Sequence, residues 1–453
     1  MTRRPVPDRP PVALTIAGSD SGGGAGVQAD VKTMEACGAF GTNAITSVTA
    51  QNTRGVESTH HLPTSEIRAQ IEAVLDDFDV RAVKTGMLAT GEIVDLVCEY
   101  ADRLPALVVD PVMVAASGDR LLDPAAEDAY EDLVAEATLV TPNADEAAVL
   151  TGIDPDDEDD CRAAGEALVE TGADGALVKG GHVPGDEVVD VLVTDDTVET
   201  FRHPRVDTEA THGSGCTLSS AIAARLAAGE ALPEAVGAGV DLLSRAVRYP
   251  LDVGEGPGSV HHLVEVRNDA ARNATAEAVA GVVEQFVDWD VTRLVPEVGM
   301  NVVGATPYAE TPGETVAVEG RIAKTLSGVA PNRGVRFGAS SHVARFLLAT
   351  REFDGDLRFA VNCRFDDGVE AALGALDGPV AEYDRSAEPD AVKAEEGSTM
   401  QWGARQAFET AEGRPVAVID RGEVGKEAIV KLLATDAGAL VERVWTVLEE
   451  LER

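Results

Sequence analysis

Lysine is scarce in this sequence, and basic residues in general are outnumbered. Only seven of the 37 basic residues are lysine, whereas aspartate and glutamate together number 79, which gives a formal net charge of −42. Because so acidic a surface repels phosphate backbones, the composition argues against nucleic-acid binding over a broad face. An acidic, lysine-poor surface is typical of a halophilic protein that stays soluble in concentrated salt, where screening removes the self-repulsion.

Cysteines and long apolar runs are also few. The five cysteines are widely spread and form no Cys-x-x-Cys pair, which argues against a disulfide framework and against a zinc site. The apolar runs are too short for a membrane span, and the basic start is followed by no apolar region of signal-peptide length. We therefore expect a cytoplasmic protein without membrane contact. With 453 residues, 44% of them hydrophobic, the chain is long enough for two or three domains with sizeable cores.

The first 265 residues alternate short apolar runs with helical stretches, which predicts an α/β fold with helices on both faces of a sheet. The strands that we expect are 12–17, 44–50, 82–87, 107–113, 139–143 and 176–182, followed by a hairpin, 188–193 with 198–201. A small or polar residue stands at or just after the end of most of these strands. In a parallel sheet the ligand lies beyond the carboxyl ends, so these residues are expected to meet at one site. They are Gly18, Gln51, Gly86, Asp110, Asn143, Lys179 and Cys216.

The glycine-rich stretch 211–217 precedes an expected helix, 218–228, that ends at Gly229. Bare backbone N–H groups and a helix start favour an anion, so this loop is a candidate anion hole for a transferring phosphoryl group. Cys216 would lie in the first helical turn, where the helix dipole lowers the pKa of a thiol. The alternative is a glycine-rich helix start with a buried structural cysteine.

Three charged residues of this region suit phosphate chemistry. Asp110 and Glu146 are hard oxygen ligands of the kind that Mg²⁺ uses together with phosphates, and Lys179 is a point charge suited to a phosphate. The loop 18–26 could also cradle a phosphate, although its spacing matches neither the dinucleotide fingerprint nor a P-loop. For Asp110 the alternative is a turn former before Pro111, and for Asp30 it is a charge on a helix face.

The motifs of the first half resemble a known family. Segments 17–30, 49–53, 84–87, 110–113, 141–143, 179–182 and 211–217 read AGSDSGGGAGVQAD, TAQNT, KTGM, DPVM, TPN, KGGH and THGSGCT. In order and content they resemble the hydroxymethylpyrimidine and phosphomethylpyrimidine kinase of thiamine synthesis, a family with the ribokinase-like fold. The resemblance implies a kinase domain over residues 1–262, which uses ATP and Mg²⁺. Where the family more often has threonine, this chain has Ser214.

The resemblance also implies roles for single residues. Asp30 and Gln51 would hydrogen-bond the aminopyrimidine and its hydroxymethyl group, and Gly18 and Met87 would line the same pocket. The side that holds Mg²⁺ and phosphate would consist of Asp110, Asn143 and Glu146, with Lys179 on the ATP phosphates. The anion hole would consist of Gly213, Ser214, Gly215 and Cys216, with Cys216 where related sugar kinases keep an aspartate base.

A second α/β alternation follows a plausible joint at 261–273, with an expected helix at 275–286. Within it, Arg321, Arg333, Arg336, His342 and Arg345 stand out in so acidic a chain and suit a pyrophosphate or phosphate ester. Ser340 or Ser341 is a natural N-cap of the helix that carries His342. For any single arginine the alternative is a surface residue paired with a neighbouring acid.

Segments 304–309, 319–322, 337–345 and 420–427 read GATPYA, EGRI, FGASSHVAR and DRGEVGKE. They resemble the archaeal-type thiamine-phosphate synthase domain, which implies a smaller α/β domain over residues 270–453. By this resemblance Arg321 and His342 are the catalytic candidates, and Ser340, Ser341 and Arg345 would hold phosphate.

The sequence thus predicts a bifunctional enzyme with small-molecule substrates, expected as a homo-oligomer. It would phosphorylate hydroxymethylpyrimidine twice and then couple the pyrophosphate to thiazole phosphate. The alternatives are the same kinase with a C-terminal domain that senses thiamine phosphate without making it, and a pyridoxal kinase.

Overall fold

The computed structural model of the chain describes residues 3–114, 121–122, 126, 129–183, 185–389, 392, 398–423 and 426–453. It divides into two compact units, Met1–Glu265 and Val266–Arg453. Val424 and Gly425 of the last motif, and the side chain of His182, lie outside what the structure describes. Within the described residues no helix combines the length and the apolarity needed to cross a bilayer.

The first unit is built around a mostly parallel sheet. Its strands are β1 Val12–Ala17, β2 Phe40–Ile45, β3 Ser47–Asn52, β4 Gly55–His61, β5 Val80–Thr85, β6 Leu107–Val109, β7 Leu139–Val140, β8 Gly175–Val178, β9 Glu187–Thr194 and β10 Val198–Pro204. Its helices are α1 Gly26–Ala36, α2 Thr64–Leu75, α3 Gly91–Cys98, α4 Ala129–Ala135, α5 Ala144–Thr151, α6 Glu158–Thr171, α7 Ser214–Ala227 and α8 Leu232–Arg248.

The eight-stranded sheet of the described residues has the order β10-β9-β8-β7-β6-β5-β1-β2, and β3 pairs with β4 in a separate ribbon. From β2 to β8 all neighbours are parallel, whereas β8, β9 and β10 pair antiparallel. Alternate residues of β1 face opposite layers, since Ala13 packs with α1, α7 and α8 while Leu14 packs with α2 and α3. Helices therefore cover both faces, as predicted, and the carboxyl ends of the parallel strands share one edge.

Several predicted elements of the first unit were wrong in their bounds. The strands expected at 107–113, 139–143 and 176–182 are shorter, since β6, β7 and β8 end at Val109, Val140 and Val178. The expected strand 44–50 is divided between β2 and β3, which belong to different sheets, with Thr46 between them. The helix α7 begins at Ser214, four residues before the expected start, because Gly213 at φ +84° serves as its N-cap. The glycines that suggest a loop in the sequence thus lie in the helix and at its cap.

The second unit has a mostly antiparallel sheet. Its strands are β11 Val302–Ala305, β12 Thr315–Val318, β13 Ile322–Thr325, β14 Gly328–Pro331, β15 Val335–Phe337, β16 Phe359–Arg364, β17 Val380–Tyr383, β18 Ala417–Asp420 and β19 Ile429–Ala434. Its helices are α10 Arg272–Asp288, α11 His342–Thr350, α12 Asp367–Leu373, α13 Ser398–Thr410 and α14 Ala437–Glu452, and α9 Val264–Ala270 contains the boundary between the units. The expected joint is therefore largely helical.

The sheet order of this unit is β15-β12-β11-β16-β19-β18-β17, and of these pairs β17–β18 is parallel. One face packs on α10, α12 and α14, which bury a continuous apolar cluster around Phe286 and Val444. The other face packs on α11 and α13 around Phe346 and Ala404. The expected extended run 316–322 is interrupted at Gly320, whose φ of +90° separates β12 from the small β13–β14 hairpin.

Candidate active site

One cavity of the first unit, with a volume of about 690 Å³, is lined by the strand-end residues that the sequence singles out, except Gly86. Of the residues predicted for substrate, ATP, metal and catalysis in this unit, all but Asp30 line it. They come from the ends of β1, β5, β6, β7 and β8, from β3 and α5, and from the start of α7. These lining residues are Gly18, Gln51, Met87, Asp110, Asn143, Glu146, Lys179, Gly213, Ser214, Gly215 and Cys216.

The ammonium group of Lys179 lies between two carboxylates on one side of the cavity. The Nζ atom of Lys179 lies 3.3 Å from Oδ1 of Asp110 and 3.8 Å from Oε2 of Glu146. Ser219 of α7 donates to the other Asp110 oxygen over 3.3 Å. The lysine and both carboxylates are nearly buried, so their charges act on a ligand through little water.

Glu146 and Asn143 hold each other at the start of α5. The Asn143 side chain accepts from the Glu146 backbone N–H, and the Glu146 carboxylate accepts from that of Asn143, each over 2.8 Å. This reciprocal capping box fixes both side chains at the cavity. Burial raises the pKa of Glu146 to about 7, although the charge of Lys179 opposes the shift. The carboxylate is therefore poorly compensated in the absence of a further cation.

The loop before α7 needs its glycine. A Cβ atom on Gly213 would lie 1.9 Å from the carbonyl oxygen of Gly24, and its φ of +84° is one that other residues rarely adopt. Gly215 and Cys216 follow in the first turn of α7, where backbone N–H groups have no acceptor within the helix. These N–H groups and the positive end of the helix dipole make the loop suited to an anion.

The Cys216 thiol is not activated in the way that the sequence suggested. It does lie in the first turn of α7, but burial raises its pKa to about 12. The charge of Lys84 and the backbone N–H of Gly26 lower it, whereas Asp30 and Asp110 raise it. The predicted lowering was wrong because desolvation of the thiolate outweighs the favourable groups around it.

Asp30 is the second departure from expectation. It is fully buried, and its two oxygens accept from Lys84 over 2.9 and 3.0 Å, from Thr15 over 2.6 Å and from Ser220 over 2.8 Å. A direct hydrogen bond to a pyrimidine would require Asp30 to release one of these donors. Lys84, not Asp30, lines the cavity at this point.

Sequence reasoning missed the pair Asp20 and His212, which joins the two glycine loops. The Asp20 carboxylate accepts from the backbone N–H groups of Gly22, Gly24 and Ala25, and lies 3.0 Å from Nε2 of His212. Burial alone would raise the pKa of Asp20, but His212 and these hydrogen bonds lower it. The signal was an aspartate two residues before a glycine run, which is typical of a carboxylate that organises a turn.

The candidates of the second unit are more exposed. Arg321 donates to the Val298 carbonyl over 2.7 Å, and its stem packs on Gly299. His342 begins α11 with its Nδ1 atom 3.2 Å from the hydroxyl of Ser341. Ser341 takes the N-cap position without a side-chain hydrogen bond to the helix, and the neighbouring Ser340 is half-buried. The expected capping interaction is therefore missing.

The remaining arginines of the predicted cluster divide. Arg333 and Arg336 both approach Glu319, at 3.9 and 3.3 Å, as the alternative of surface arginines paired with acids predicted. Arg345 is half-buried on α11, one turn after His342. Of the predicted phosphate-binding set, Ser340, Ser341, His342 and Arg345 thus lie on one short segment, whereas Arg321 precedes β13.

A buried charged cluster of the second unit was not predicted. Arg385 binds Asp420 through two hydrogen bonds of 2.7 Å, and the Tyr383 hydroxyl donates to the same carboxylate over 2.6 Å. Lys431 lies 3.8 Å from Asp420 and 4.6 Å above the Phe346 ring. Burial lowers the pKa of Lys431 to about 8, although Asp420 opposes the shift. The sequence signal was Asp420 at the end of an apolar strand.

In neither unit do the described residues gather three or more histidine, cysteine, aspartate or glutamate side chains that could hold a metal ion by themselves. A metal at the cavity would need ligands from a substrate in addition to Asp110 and Glu146.

Comparison with known proteins agrees with the two units. Residues 20–261 match the family model described as phosphomethylpyrimidine kinase, and residues 278–446 match that of the thiamine-phosphate synthase ThiN. The hydroxymethylpyrimidine/phosphomethylpyrimidine kinase of Streptomyces coelicolor is 48% identical over 264 residues, which are 58% of this chain and 98% of that one. The thiamine biosynthesis bifunctional protein ThiED of Geobacter sulfurreducens is 43% identical over 256 residues, 55% of this chain and 52% of that one.

Among solved structures, the pyridoxal kinase of Bacillus subtilis in complex with ADP is similar, at 34% identity and a TM-score of 0.54. The match covers 57% of this chain and 99% of that one. The predicted ribokinase-like α/β fold and the predicted kinase of thiamine biosynthesis are thereby confirmed. The chain belongs to the phosphomethylpyrimidine kinase family and continues into a ThiN thiamine-phosphate synthase domain.

Proposed function

We propose that the first unit uses ATP and Mg²⁺ to phosphorylate 4-amino-5-hydroxymethyl-2-methylpyrimidine and then its phosphate. The second unit then joins the resulting pyrophosphate to thiazole phosphate, which gives thiamine phosphate and pyrophosphate. The observation that carries the kinase is the single cavity on which Lys179, Asp110, Glu146 and the α7 start converge. A phosphoryl transfer needs little more than such positioning and charge stabilisation.

The cavity residues divide into two groups by their chemistry. Gly18, Gln51 and Met87 form an apolar and amide-lined part that suits a flat heteroaromatic ring. A side chain on Gly18 would meet the Met87 methyl group at 2.4 Å, so the glycine leaves Met87 free to lie along a ring. Lys179 and the N–H groups of Gly215 and Cys216 suit the phosphates.

The residues present fit a magnesium ion. Asp110 and Glu146 offer two carboxylates on one cavity, and the raised pKa of Glu146 indicates that its charge lacks compensation. Mg²⁺ is commonly held by one or two carboxylates together with substrate phosphates. When bound there it would neutralise charge on the phosphates. Asp110 and Glu146 would hold it, and Lys179 would contact the phosphates.

In the first transfer the hydroxymethyl oxygen forms a bond to the γ-phosphorus of ATP, and the bond from that phosphorus to the ADP oxygen breaks. The hydroxyl proton must leave, and Cys216 is the thiol in the first turn of α7 where such a base is expected. Only the thiolate form of Cys216 can accept this proton. Because the pKa of the thiol is raised in the structure, the bound ligands must favour the thiolate. The glycine-rich loop before α7 and the first-turn N–H groups would stabilise the charge on the transferring phosphoryl group.

The synthase proposal rests on the ThiN match and on Arg321, His342 and Arg345. Displacement of pyrophosphate by the thiazole nitrogen builds negative charge on the leaving group. A guanidinium is suited to stabilise that charge, which is the role we assign to Arg321, and His342 would bind phosphate or move a proton. Ser340, Ser341 and Arg345 would hold phosphate at the start of α11.

A kinase-silenced full-length chain separates synthase from sensor. A Lys179→Met variant is supplied with pyrimidine pyrophosphate and thiazole phosphate, and thiamine phosphate is quantified by chromatography. If the Lys179→Met chain forms thiamine phosphate, and the additional change Arg321→Met abolishes this turnover, the result supports the synthase. Binding of thiamine phosphate without any turnover supports a sensing domain instead.

The pyridoxal kinase alternative rests on the similarity to the Bacillus subtilis structure. The wild-type chain is assayed with hydroxymethylpyrimidine and with pyridoxal under one set of conditions. A larger kcat/KM for pyridoxal would overturn the proposed pyrimidine substrate. The expected homo-oligomer and cytoplasmic location stay predictions.

A further inference from the structure

Lys84 is an unusual member of the cavity wall because its side chain is completely buried. It is the penultimate residue of β5, and its Nζ atom contacts Oδ1 and Oδ2 of Asp30 at 2.9 and 3.0 Å. Burial opposes a charge on this lysine, but Asp30 and other acids outweigh it and raise its pKa above the ordinary value. The ammonium is therefore charged at neutral pH.

The Asp30 carboxylate needs no further partner. Each oxygen accepts two hydrogen bonds, since Lys84 donates to both, Ser220 donates to Oδ1 and Thr15 donates to Oδ2. Four donors account for the lone pairs that a carboxylate presents. Asp30 is thus saturated from within the protein, and it fixes where the ammonium points.

The ammonium itself is not saturated. It carries three N–H groups, and Asp30 accepts two of them. In the part of the chain that the structure describes, the third has no protein acceptor, yet Lys84 lines the cavity. A buried N–H without an acceptor is costly, so the cavity provides a place where a ligand acceptor is strongly favoured.

The surroundings of this third N–H indicate which ligand atom would meet it. Lys84 and Ser220 of α7 both donate to Oδ1 of Asp30, so the ammonium lies beside the first turns of α7. Lys84 and Cys216 also line the same cavity. Gly86 keeps that approach open, because a Cβ atom there would lie 2.8 Å from Nζ. The alcohol that attacks ATP must also lie near the α7 start, where the phosphoryl group is expected.

We propose that Lys84 is a substrate-binding residue of the kinase, whose free N–H donates to the oxygen of the substrate's primary alcohol. Asp30 is then a positioning residue that acts through Lys84. This rests on the proposed kinase function and deepens it, since a charged donor both orients the alcohol and stabilises the negative charge that grows as its proton leaves. The reacting group of the substrate is thereby recognised by an ammonium and not by a carboxylate.

The test compares two ligands that differ in one hydroxyl group. Calorimetry measures binding of hydroxymethylpyrimidine and of its 5-methyl analogue, which lacks the hydroxyl, to the wild-type chain and to the charge-neutral pair Lys84→Met with Asp30→Asn. The wild type should bind the alcohol at least about ten-fold more tightly than the analogue, as a charged hydrogen bond predicts. In the double variant the two affinities should agree within about three-fold.

If Lys84 had a purely structural role, the double variant would keep the same ratio of affinities for the alcohol and for the 5-methyl analogue. An unchanged preference for the alcohol in a folded double variant overturns the proposal. The two substitutions are made together because either alone leaves a buried charge without its partner. If the pair fails to fold, Lys84→Arg replaces it, since it keeps the charge opposite Asp30 but moves the free N–H, and the same loss of preference is expected.

Kinetics supply a second readout and a control. The double variant should raise KM for hydroxymethylpyrimidine at least about ten-fold while KM for ATP changes less than about two-fold. A wild-type chain that fails to bind or phosphorylate the pyrimidine would instead overturn the proposed function, so the two failures are distinguishable.

Discussion

The two units differ in how their sheets bring polar residues together. From β2 to β8 the first sheet is parallel, so successive strands deliver Gly18, Asp110 and Lys179 to the same edge. In the second sheet neighbours run antiparallel except for β17 and β18, so successive carboxyl ends alternate between opposite edges. A strand-end residue therefore predicts a site in the first unit but carries little information in the second.

The buried charges show the same contrast. In the first unit Lys84, Lys179, Asp110 and Glu146 all line the cavity. In the second unit Arg385, Asp420 and Lys431 are buried beside Tyr383 and Phe346, whereas the predicted Arg321 and His342 are exposed. Buried charge thus lines the candidate site in one unit and forms an internal network in the other. Each prediction below tests one side of this difference.

The largest effect is expected at Cys216 in the first unit. Cys216→Ala should lower kcat for phosphorylation of the pyrimidine by about 10³-fold, because it removes the proposed proton acceptor, while the thermal midpoint stays nearly unchanged. Turnover is followed by ADP release. Cys161→Ala, at a buried cysteine away from the cavity, is the matched control and should retain turnover. Near-full activity of Cys216→Ala would exclude the thiol from catalysis.

In the second unit the largest effect should be on stability. Arg385→Met leaves the buried Asp420 carboxylate without its bidentate partner, so unfolding of this unit should become easier by about 3 kcal/mol. All three tryptophans, Trp289, Trp402 and Trp445, lie in this unit, so their fluorescence reports its denaturant unfolding.

Exposed arginines provide the control for that measurement. Arg321→Met should leave the tryptophan-monitored unfolding nearly unchanged but abolish thiamine phosphate formation. If Arg385→Met proved neutral for stability, the buried network would not be what distinguishes this unit, and a ligand role for Arg385 would have to be considered.

A third, smaller effect is expected at Lys179. Lys179→Met should lower kcat/KM for ATP by about 10²-fold, since a single preorganised charge on a phosphoryl group contributes on this scale. The change also removes the cation between Asp110 and Glu146, which leaves both carboxylates less compensated, so the variant should require less Mg²⁺ for half-maximal rate. Lys32→Met, which removes an exposed lysine that donates to the Gly23 carbonyl, is the control and should change kcat/KM less than two- to three-fold, about the spread of a surface substitution. Equal losses in both variants would assign the effect to net charge.

How far the sequence predicts the molecule depends on the same contrast. The parallel sheet, the strand-end residues of the cavity and the glycine-rich loop before α7 follow from strand periodicity and glycine spacing, because each signal is local and the parallel edge assembles them. Met87 was implied only by the family resemblance. The partnership of Asp30 with Lys84 joins residues 54 positions apart and depends on side-chain direction, which periodicity does not encode. The raised pKa of Cys216 likewise depends on burial by distant segments. The Tyr383–Arg385–Asp420–Lys431 network arises across β17, β18 and β19, where no strand-end rule applies.

The smallest effect concerns pH and Lys431 in the second unit. Its pKa in the folded chain, about 8, lies below the unfolded value of 10.5 because burial disfavours the ammonium. The unfolded chain thus binds the proton more tightly, so this group destabilises the fold below pH 8, and the destabilisation is relieved as pH rises from about 8 to 10.5. Lys431→Met should remove that pH dependence and, at pH 7, change the free energy of unfolding by about 1–3 kcal/mol in the stabilising direction, less any loss of contact with Phe346. Tryptophan-monitored unfolding across this pH range measures both the pH dependence and the free energy of unfolding. A wild-type stability that falls over the same interval, with no change in slope for Lys431→Met, would mean that Asp420 keeps this lysine charged in spite of its burial, and the network of the second unit would then resemble the Lys84–Asp30 pair of the first.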